Sequence, residues 1–150
     1  MRAVIQRVSQ ASVSIDKQLK SAINNGLLIL LGIVDSDTSE DIDWLCNKIV
    51  NLRVFSDEDG IMNHSLKVIN GDVLVVSQFT LHASTKKGNR PSYIKAAKPE
   101  VAIPLYDKFV EKLTIILGRS LSTGEFGATM EVSLVNDGPV TIIIDTINKE

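Results

Sequence analysis

Hydrophobic and polar positions alternate near both ends of the chain, as they do in half-buried β-strands. Residues 2–8 are rich in apolar and β-branched side chains, and polar and apolar residues alternate strictly over residues 11–15. The alternation recurs over residues 128–134, and residues 140–147 form a further apolar run. We predict a strand in each of these four segments.

Two longer apolar runs predict strands in the middle of a sheet. Residues 26–34 have no polar face, so we expect this strand to be buried on both sides. Residues 73–81 begin as an apolar strand and turn polar at Ser77, Gln78 and Thr80. A shorter strand is predicted at residues 52–55, and residues 19–23 are a candidate second arm after the turn at residues 16–18.

Apolar residues at helical spacing predict two main helices. The first spans residues 39–51 and carries its apolar stripe from Ile42 to Ile49. The residues available to cap it are Thr38 with Asp41, or Asp37 with Glu40. The second helix has its stripe from Ala102 to Leu117, with Pro99 suited to its first turn and Gly118 to its end.

The length of 150 residues fits one domain, and no linker, composition shift or internal repeat divides the chain. Strands and helices together predict an α+β fold of about seven strands with two main flanking helices. We therefore expect a single domain over residues 1–150.

Composition excludes several classes of function. With 16 basic and 18 acidic residues the net charge is −2, which argues against coating a nucleic acid by bulk electrostatics. The one cysteine cannot form an intrachain disulfide, and no Cys/His cluster has zinc-ligand spacing, so we expect no metal site. The start of the chain does not have the pattern of a signal peptide, and no apolar run approaches the roughly 20 residues of a membrane span. A cytoplasmic protein with no membrane contact is the default expectation.

Two segments conflict with local rules, and such conflicts are expected at functional sites. Residues 77–80, Ser-Gln-Phe-Thr, place polar groups in succession at the end of a predicted central strand. They either meet partners in a site or belong to a strand that simply emerges into solvent.

The second segment is Asn-Asp-Gly-Pro, residues 136–139. Asp137-Gly138 is a hairpin signal, but Pro139 cannot donate the first ladder hydrogen bond of a following strand. A Gly-Pro bond adopts the cis form at modest cost, and a cis turn would point adjacent carbonyl oxygens the same way. An ordinary turn is the alternative.

Four sequence blocks carry a resemblance to a known family. They are residues 1–8 (MRAVIQRV), 75–81 (VVSQFTL), 87–92 (KGNRPS) and 135–141 (VNDGPVT). In this order and over most of the chain, they resemble the D-aminoacyl-tRNA deacylases. The resemblance implies hydrolysis of the ester bond of D-aminoacyl-tRNA and of mischarged glycyl-tRNA, a chiral proofreading activity without a cofactor.

The resemblance also implies an architecture for the site. It predicts a homodimer with a compact, barrel-like β core and active sites shared between subunits, which bind the 3′-terminal aminoacyl-adenosine of tRNA. Residues 77–80 of one subunit would face the Gly138-Pro139 turn of the other, and Arg7 would support that turn.

The roles implied by the resemblance fall into four groups. The catalytic segment comprises Ser77, Gln78, Phe79 and Thr80, and chiral selection belongs to Gly138 and Pro139. The adenosine pocket comprises Phe79, Ala102, Phe126 and Met130, for which plain core packing is the rival interpretation. Candidates for contacts with tRNA phosphates are Lys86, Lys87 and Arg90, in a basic loop that otherwise is merely solvated.

The source of the catalytic proton transfer stays open between two hypotheses. Thr80 is a candidate nucleophile, but a hydroxyl needs a base. His82 would share a strand face with Thr80, yet the family more often has tyrosine there, so we expect His82 at the surface or the rim of the site. The favoured hypothesis is assistance by the tRNA 2′-hydroxyl, with backbone N–H groups near Phe79 and Thr80 stabilising the oxyanion.

Two alternative functions are weighed against this one. One is a non-catalytic module that binds an RNA 3′ end or a nucleotide. The other is a related deacylase of L-aminoacyl-tRNA with a trans Gly138-Pro139 bond.

Overall fold

Eight strands and three α-helices follow one another over residues 1–149, the part of the chain that the computed structural model describes. The strands are β1 (Arg2–Ile15), β2 (Gln18–Ile23), β3 (Gly26–Gly32), β4 (Phe55–Ser56), β5 (Met62–His64), β6 (Asp72–Ser77), β7 (Ser122–Thr123) and β8 (Glu131–Asp145). The helices are α1 (Ser39–Asn51), α2 (Leu66–Ile69) and α3 (Pro99–Leu117), with a 3₁₀ helix at Phe79–His82.

The predicted α+β class is confirmed, with eight strands in place of about seven and a third helix, α2. The short elements β5, β7 and α2 span two to four residues each. Segments of that length hold too few positions to show a hydrophobic period, so the sequence pattern missed them.

Strand β1 organises the main sheet. Its first half pairs antiparallel with β3, its second half pairs with β2, and β8 runs antiparallel along its other edge. Parallel pairing of β3 with β6 and of β6 with β7 completes a mixed sheet that curls into a nearly closed, barrel-like form. The predicted strands 2–8 and 11–15 are thus one strand, because β8 pairs with both of them.

Apolar clusters lie on both faces of β3, as its lack of a polar face predicts. Leu27, Ile29 and Leu31 belong to the larger cluster, which also contains the apolar stripes of α1 and α3. Leu28 belongs to the second cluster, together with residues of β1, β2 and β6. Burying both faces of a strand requires a continuous apolar run, which is what the sequence of β3 supplies.

Both long helices begin and end where the sequence signals place them. A capping box joins Thr38 and Asp41 at the start of α1, where the Thr38 N–H donates to the Asp41 carboxylate over 2.9 Å. Helix α3 starts at Pro99 and ends before Gly118, whose φ of +67° suits a residue without a Cβ atom. No helix within residues 1–149 is long and apolar enough to cross a bilayer.

The prediction of a strand over residues 73–81 is wrong beyond Ser77. The Gln78 N–H makes a last sheet-like hydrogen bond to the Leu31 carbonyl over 2.8 Å, and the chain then turns into the 3₁₀ helix. Because β3 ends at Gly32, no neighbouring strand remains to continue the ladder. The polar residues of this segment therefore leave the sheet at its edge.

Residues 136–139 do not form a hairpin either. Both flanks of this segment pair with β1 in the same direction, so the chain cannot reverse there. Asn136 pairs with Val8 and Thr141 pairs with Gln6, which leaves four residues of β8 opposite Arg7 alone. The segment is thus a large bulge that protrudes from a continuous edge strand.

Candidate active site

A cavity of about 270 Å³ lies where β3 and β6 end, beside the start of α3. Its lining includes six residues predicted for the site: Ser77, Gln78, Phe79, Ala102, Phe126 and Met130. The rest of the lining is small or apolar, so Ser77 and Gln78 supply its polar side chains. A mostly apolar cavity with a few polar groups at one side is typical of a small-molecule or nucleotide site.

Aromatic contacts behind the lining hold α3 and Phe126 beside this cavity. The Tyr106 hydroxyl of α3 donates to the Val75 carbonyl of β6 over 3.0 Å, and its ring packs edge-on against Phe126 at 5.9 Å. Burial raises the pKa of Tyr106 to about 12, so the phenol stays neutral and remains a donor. Helix α3 is thereby held against β6, which places Ala102 in the cavity wall.

The 3₁₀ helix presents its first N–H groups without partners. Neither the Phe79 N–H nor the Thr80 N–H donates to any acceptor within residues 1–149. At the start of a helical turn such groups are free to bind an external oxygen. The Gln78 amide donates to the Thr80 hydroxyl, and Arg2 fixes the far side of the turn by donating to the Leu81 carbonyl over 2.8 Å.

The bulge opposite Arg7 is held by hydrogen bonds to its main chain. Arg7 is 9% exposed; it donates through Nε to the Asp137 carbonyl over 2.9 Å and through Nη1 to the Val54 carbonyl. The Val140 N–H donates to the Asn136 side-chain oxygen over 2.9 Å. The bond between Gly138 and Pro139 is cis, an isomer that the sequence left open.

Gly138 and Pro139 are exposed and do not line the cavity of their own chain. The structure therefore brings Arg7 to the bulge, and the catalytic segment to the adenosine-pocket residues, as two separate groups. Each role assigned to these residues stays a prediction.

The basic loop is closed at its base by the antiparallel pair Ser84 and Ser92. Ser84 and Ser92 exchange two backbone hydrogen bonds of 2.8 and 2.9 Å, and Lys86, Lys87 and Arg90 are exposed between them. Their ammonium and guanidinium groups thus face solvent, where they are free to meet phosphates.

Comparison with known proteins decides the family. Residues 4–145 match the family described as D-Tyr-tRNA(Tyr) deacylase. The chain belongs to this family. A D-aminoacyl-tRNA deacylase of Bacteroides fragilis is 67% identical over all 150 residues of both chains, and one of Christiangramia forsetii is 65% identical over 99% of each chain.

Solved structures share the fold. One described as c-Myc DNA Unwinding Element Binding Protein has a TM-score of 0.92 and 41% identity, covering 97% of this chain and 98% of its own. Another, described as a probable eukaryotic D-amino acid tRNA deacylase, has a TM-score of 0.82 at 18% identity, over 95% and 97% of the two chains. The second likeness shows the fold alone.

Several residues at the site escaped the sequence analysis. Ala97 and Ala128 line the cavity, and the Tyr93 ring packs edge-on against Phe79 at 5.0 Å. Alanines carry no chemical signal, and Tyr93 follows the basic loop without any period that relates it to Phe79. Among residues 1–149 no three His, Cys, Asp or Glu side chains are grouped to hold a metal ion.

The expectation that His82 lies at the surface is wrong. Its side chain is 7% exposed, does not line the cavity, and packs so closely that a Cβ on Gly32 would lie 2.9 Å from its ring. Its Nε2 has no hydrogen-bond partner within the described residues. The expectation assumed an extended strand, whereas the 3₁₀ helix turns position 82 inward.

Burial lowers the pKa of His82 below 6.5, and Arg2 and the amino group of Met1 act in the same direction, while the main chain of Gly32 and, more weakly, Asp37 oppose them. The unfolded chain therefore takes up a proton first as the pH falls. The neutral ring contributes full stability above pH 6.5, and that contribution is lost as the pH falls towards the lower pKa of the folded state.

We expect the free energy of unfolding of the wild type to fall more steeply below pH 6.5 than that of His82→Gln, which has no proton to bind. Urea unfolding at a series of pH values from 8 to 5 measures both slopes. His64→Gln, at a half-exposed position in β5, is the matched control and should keep the wild-type slope. Equal slopes for the wild type and His82→Gln would contradict the expectation.

Proposed function

We propose that this protein hydrolyses the ester bond between a D-amino acid and the 3′-terminal adenosine of tRNA, and that it also clears mischarged glycyl-tRNA. Membership of the deacylase family over residues 4–145 carries this proposal. The cavity supports it, because Phe79, Ala102, Phe126 and Met130 surround a space in which a terminal adenosine would lie beside the catalytic segment. Such a hydrolase acts where charged tRNA is used, in the cytoplasm.

The chemistry rests on main-chain groups and on the substrate. The free N–H groups of Phe79 and Thr80 would donate hydrogen bonds to the ester carbonyl oxygen and stabilise the negative charge that develops on it. Within residues 1–149 the Thr80 hydroxyl accepts a hydrogen bond from the Gln78 amide and makes none with His82, so no side-chain base is bonded to it. The ribose 2′-hydroxyl next to the ester would therefore orient and activate the attacking water.

Chiral selection would come from the bulge at Gly138 and Pro139. Main-chain carbonyl oxygens accept hydrogen bonds from the substrate ammonium, and once that group is fixed only a D side chain points away from the backbone wall. An L side chain would collide with that wall. Glycine has no side chain, so a steric filter of this kind cannot reject it.

A homodimer would bring the two groups of residues together. The bulge is exposed and does not line the cavity of its own chain, so a single chain would lack the filter. Within residues 1–149 only β1 pairs with β8, which leaves the other edge of β8 free and its Val135 and Ile143 exposed. A long, free strand edge with apolar side chains is suited to contact a second copy.

Subunit mixing tests the shared site. Ala128→Trp fills the cavity, and Gly138→Ala distorts the bulge, because Gly138 has a φ of +131° and an added Cβ would lie 2.8 Å from Arg7. We expect each variant alone to be inactive. Co-expressed in one cell they should recover about a quarter of wild-type activity, since half of the dimers are mixed and each mixed dimer has one intact site. Absence of recovery would contradict a shared site.

Matched D-, L- and glycyl-esters of one tRNA test the activity. We expect turnover of the D-ester and the glycyl-ester, and hydrolysis of the L-ester at least about a hundredfold slower, because a steric clash of about 3 kcal/mol gives that ratio. Release of free amino acid at catalytic enzyme levels is measured. Preference for the L-ester would overturn the proposed D-specificity, and binding without turnover would support the non-catalytic module.

The mechanism is tested by Thr80→Ala on normal tRNA and by wild-type enzyme on tRNA ending in 2′-deoxyadenosine. Substrate assistance predicts that the substitution lowers kcat by less than about tenfold, whereas loss of the 2′-hydroxyl lowers it by about 10²–10⁴. Thr80→Ser, which keeps a hydroxyl, is the control. A large loss in Thr80→Ala with full activity on the deoxy substrate would overturn the mechanism.

A further inference from the structure

Positive charge is concentrated in one part of an otherwise acidic protein. Residues 73–99 contain five basic residues and no acidic one, namely Lys86, Lys87, Arg90, Lys95 and Lys98. The rest of the chain has 11 basic and 18 acidic residues and thus a formal charge of −7. The near-neutral total therefore hides a strong local excess of positive charge directly after the catalytic segment.

All five side chains are exposed, and none forms an ion pair in the part of the chain that the structure describes. Lys98 also occupies the N-cap of α3, where it makes no capping hydrogen bond and its charge opposes the helix dipole. The five charges therefore contribute no ion pair to the stability of the single chain, and the charge of Lys98 is unfavourable at the start of α3.

Exposed apolar groups lie within the same segment. Ile94 is 88% exposed and Tyr93 is 40% exposed, with the Tyr93 ring against Phe79 at the edge of the cavity. Basic side chains around an exposed aromatic ring are the combination that binds single-stranded nucleic acid, in which phosphates meet the charges and a base stacks on the ring.

The segment is fixed relative to the cavity. The Ala97 N–H donates to the Ile33 carbonyl over 2.9 Å, and both residues line the cavity. The Ala96 N–H closes a turn onto the Tyr93 carbonyl over 3.0 Å, and the pair Ser84–Ser92 closes the basic loop. The end of a nucleic acid strand bound along residues 84–98 would thus lie in the cavity.

We propose that residues 84–98, here named the docking segment, bind the unpaired 3′ end of tRNA and the first phosphates of its acceptor stem. Tyr93 stacks on the base that precedes the terminal adenosine. Lys95 and Lys98 join the basic loop in neutralising phosphates. This proposal rests on the proposed function and adds the surface that distinguishes a whole tRNA from its terminal nucleoside.

Two substrates separate docking from catalysis: full-length D-aminoacyl-tRNA, and D-aminoacyl-adenosine, which has no acceptor stem. The double variant Lys95→Gln/Lys98→Gln should reduce the slope of log kcat/KM against log salt by roughly 1–2 on tRNA, as expected for two lost phosphate contacts. Its activity on the adenosine ester should stay within twofold of the wild type.

Lys17→Gln/Lys20→Gln is the matched control, because it also removes two exposed charges. Lys17 lies in the turn before β2 and Lys20 lies in β2. It should leave the salt slope on tRNA unchanged. An unchanged slope in the Lys95/Lys98 variant, or an equal change in the control, would overturn the docking segment.

Tyr93→Ala should lower kcat/KM on tRNA by about tenfold or more, while Tyr93→Phe, which keeps the ring, should retain it within twofold. On the adenosine ester, which lacks the stacked base, the loss in Tyr93→Ala should be several-fold smaller than on tRNA, because only the contact of Tyr93 with Phe79 is then removed. An equal loss on both substrates would overturn stacking, because Tyr93 would then act only through Phe79. A wild-type enzyme that cleaves neither ester would instead refute the proposed function.

Discussion

The pairing of β1 with three other strands is the constraint on which the rest of the structure depends. This one strand fixes the curl of the sheet and the direction of β8 along its edge. Because the register with β8 breaks only around Arg7 and at the following residues, four residues are forced out of the edge there. Arg2, near the start of the same strand, holds the 3₁₀ helix through the Leu81 carbonyl. Both halves of the candidate site are thus attached to one strand.

The site that results is poor in ionisable side chains. Ser77 and Gln78 supply the polar side chains of the cavity, and the Thr80 hydroxyl is joined to it through a hydrogen bond from Gln78. The buried His82 does not line the cavity. Main-chain N–H groups are oriented by the fold, and they act as donors without any change of protonation state. Both properties make them effective at stabilising developing charge. A reaction whose substrate carries its own hydroxyl next to the scissile bond suits such a site.

Positive charge is confined to the part of the chain beside the cavity. A protein that binds only the end of a long polyanion needs positive charge near one cavity, not over its whole surface. The excess over residues 73–99 lies next to the cavity, while the remainder of the chain is acidic. The net charge of the whole chain therefore conceals a local excess of positive charge beside the cavity.

Local pattern was sufficient for the α+β class, for both long helices with their caps, and for β3 with its two buried faces, because these depend on side-chain period and short-range hydrogen bonds. The family resemblance named candidate residues for the site, and six of them line one cavity. Three features required the tertiary fold: the end of β6 at Ser77, the burial of His82 and the bulge at Gly138. Each depends on where a partner strand stops or slips in register, and a partner distant in sequence leaves no trace in the local pattern.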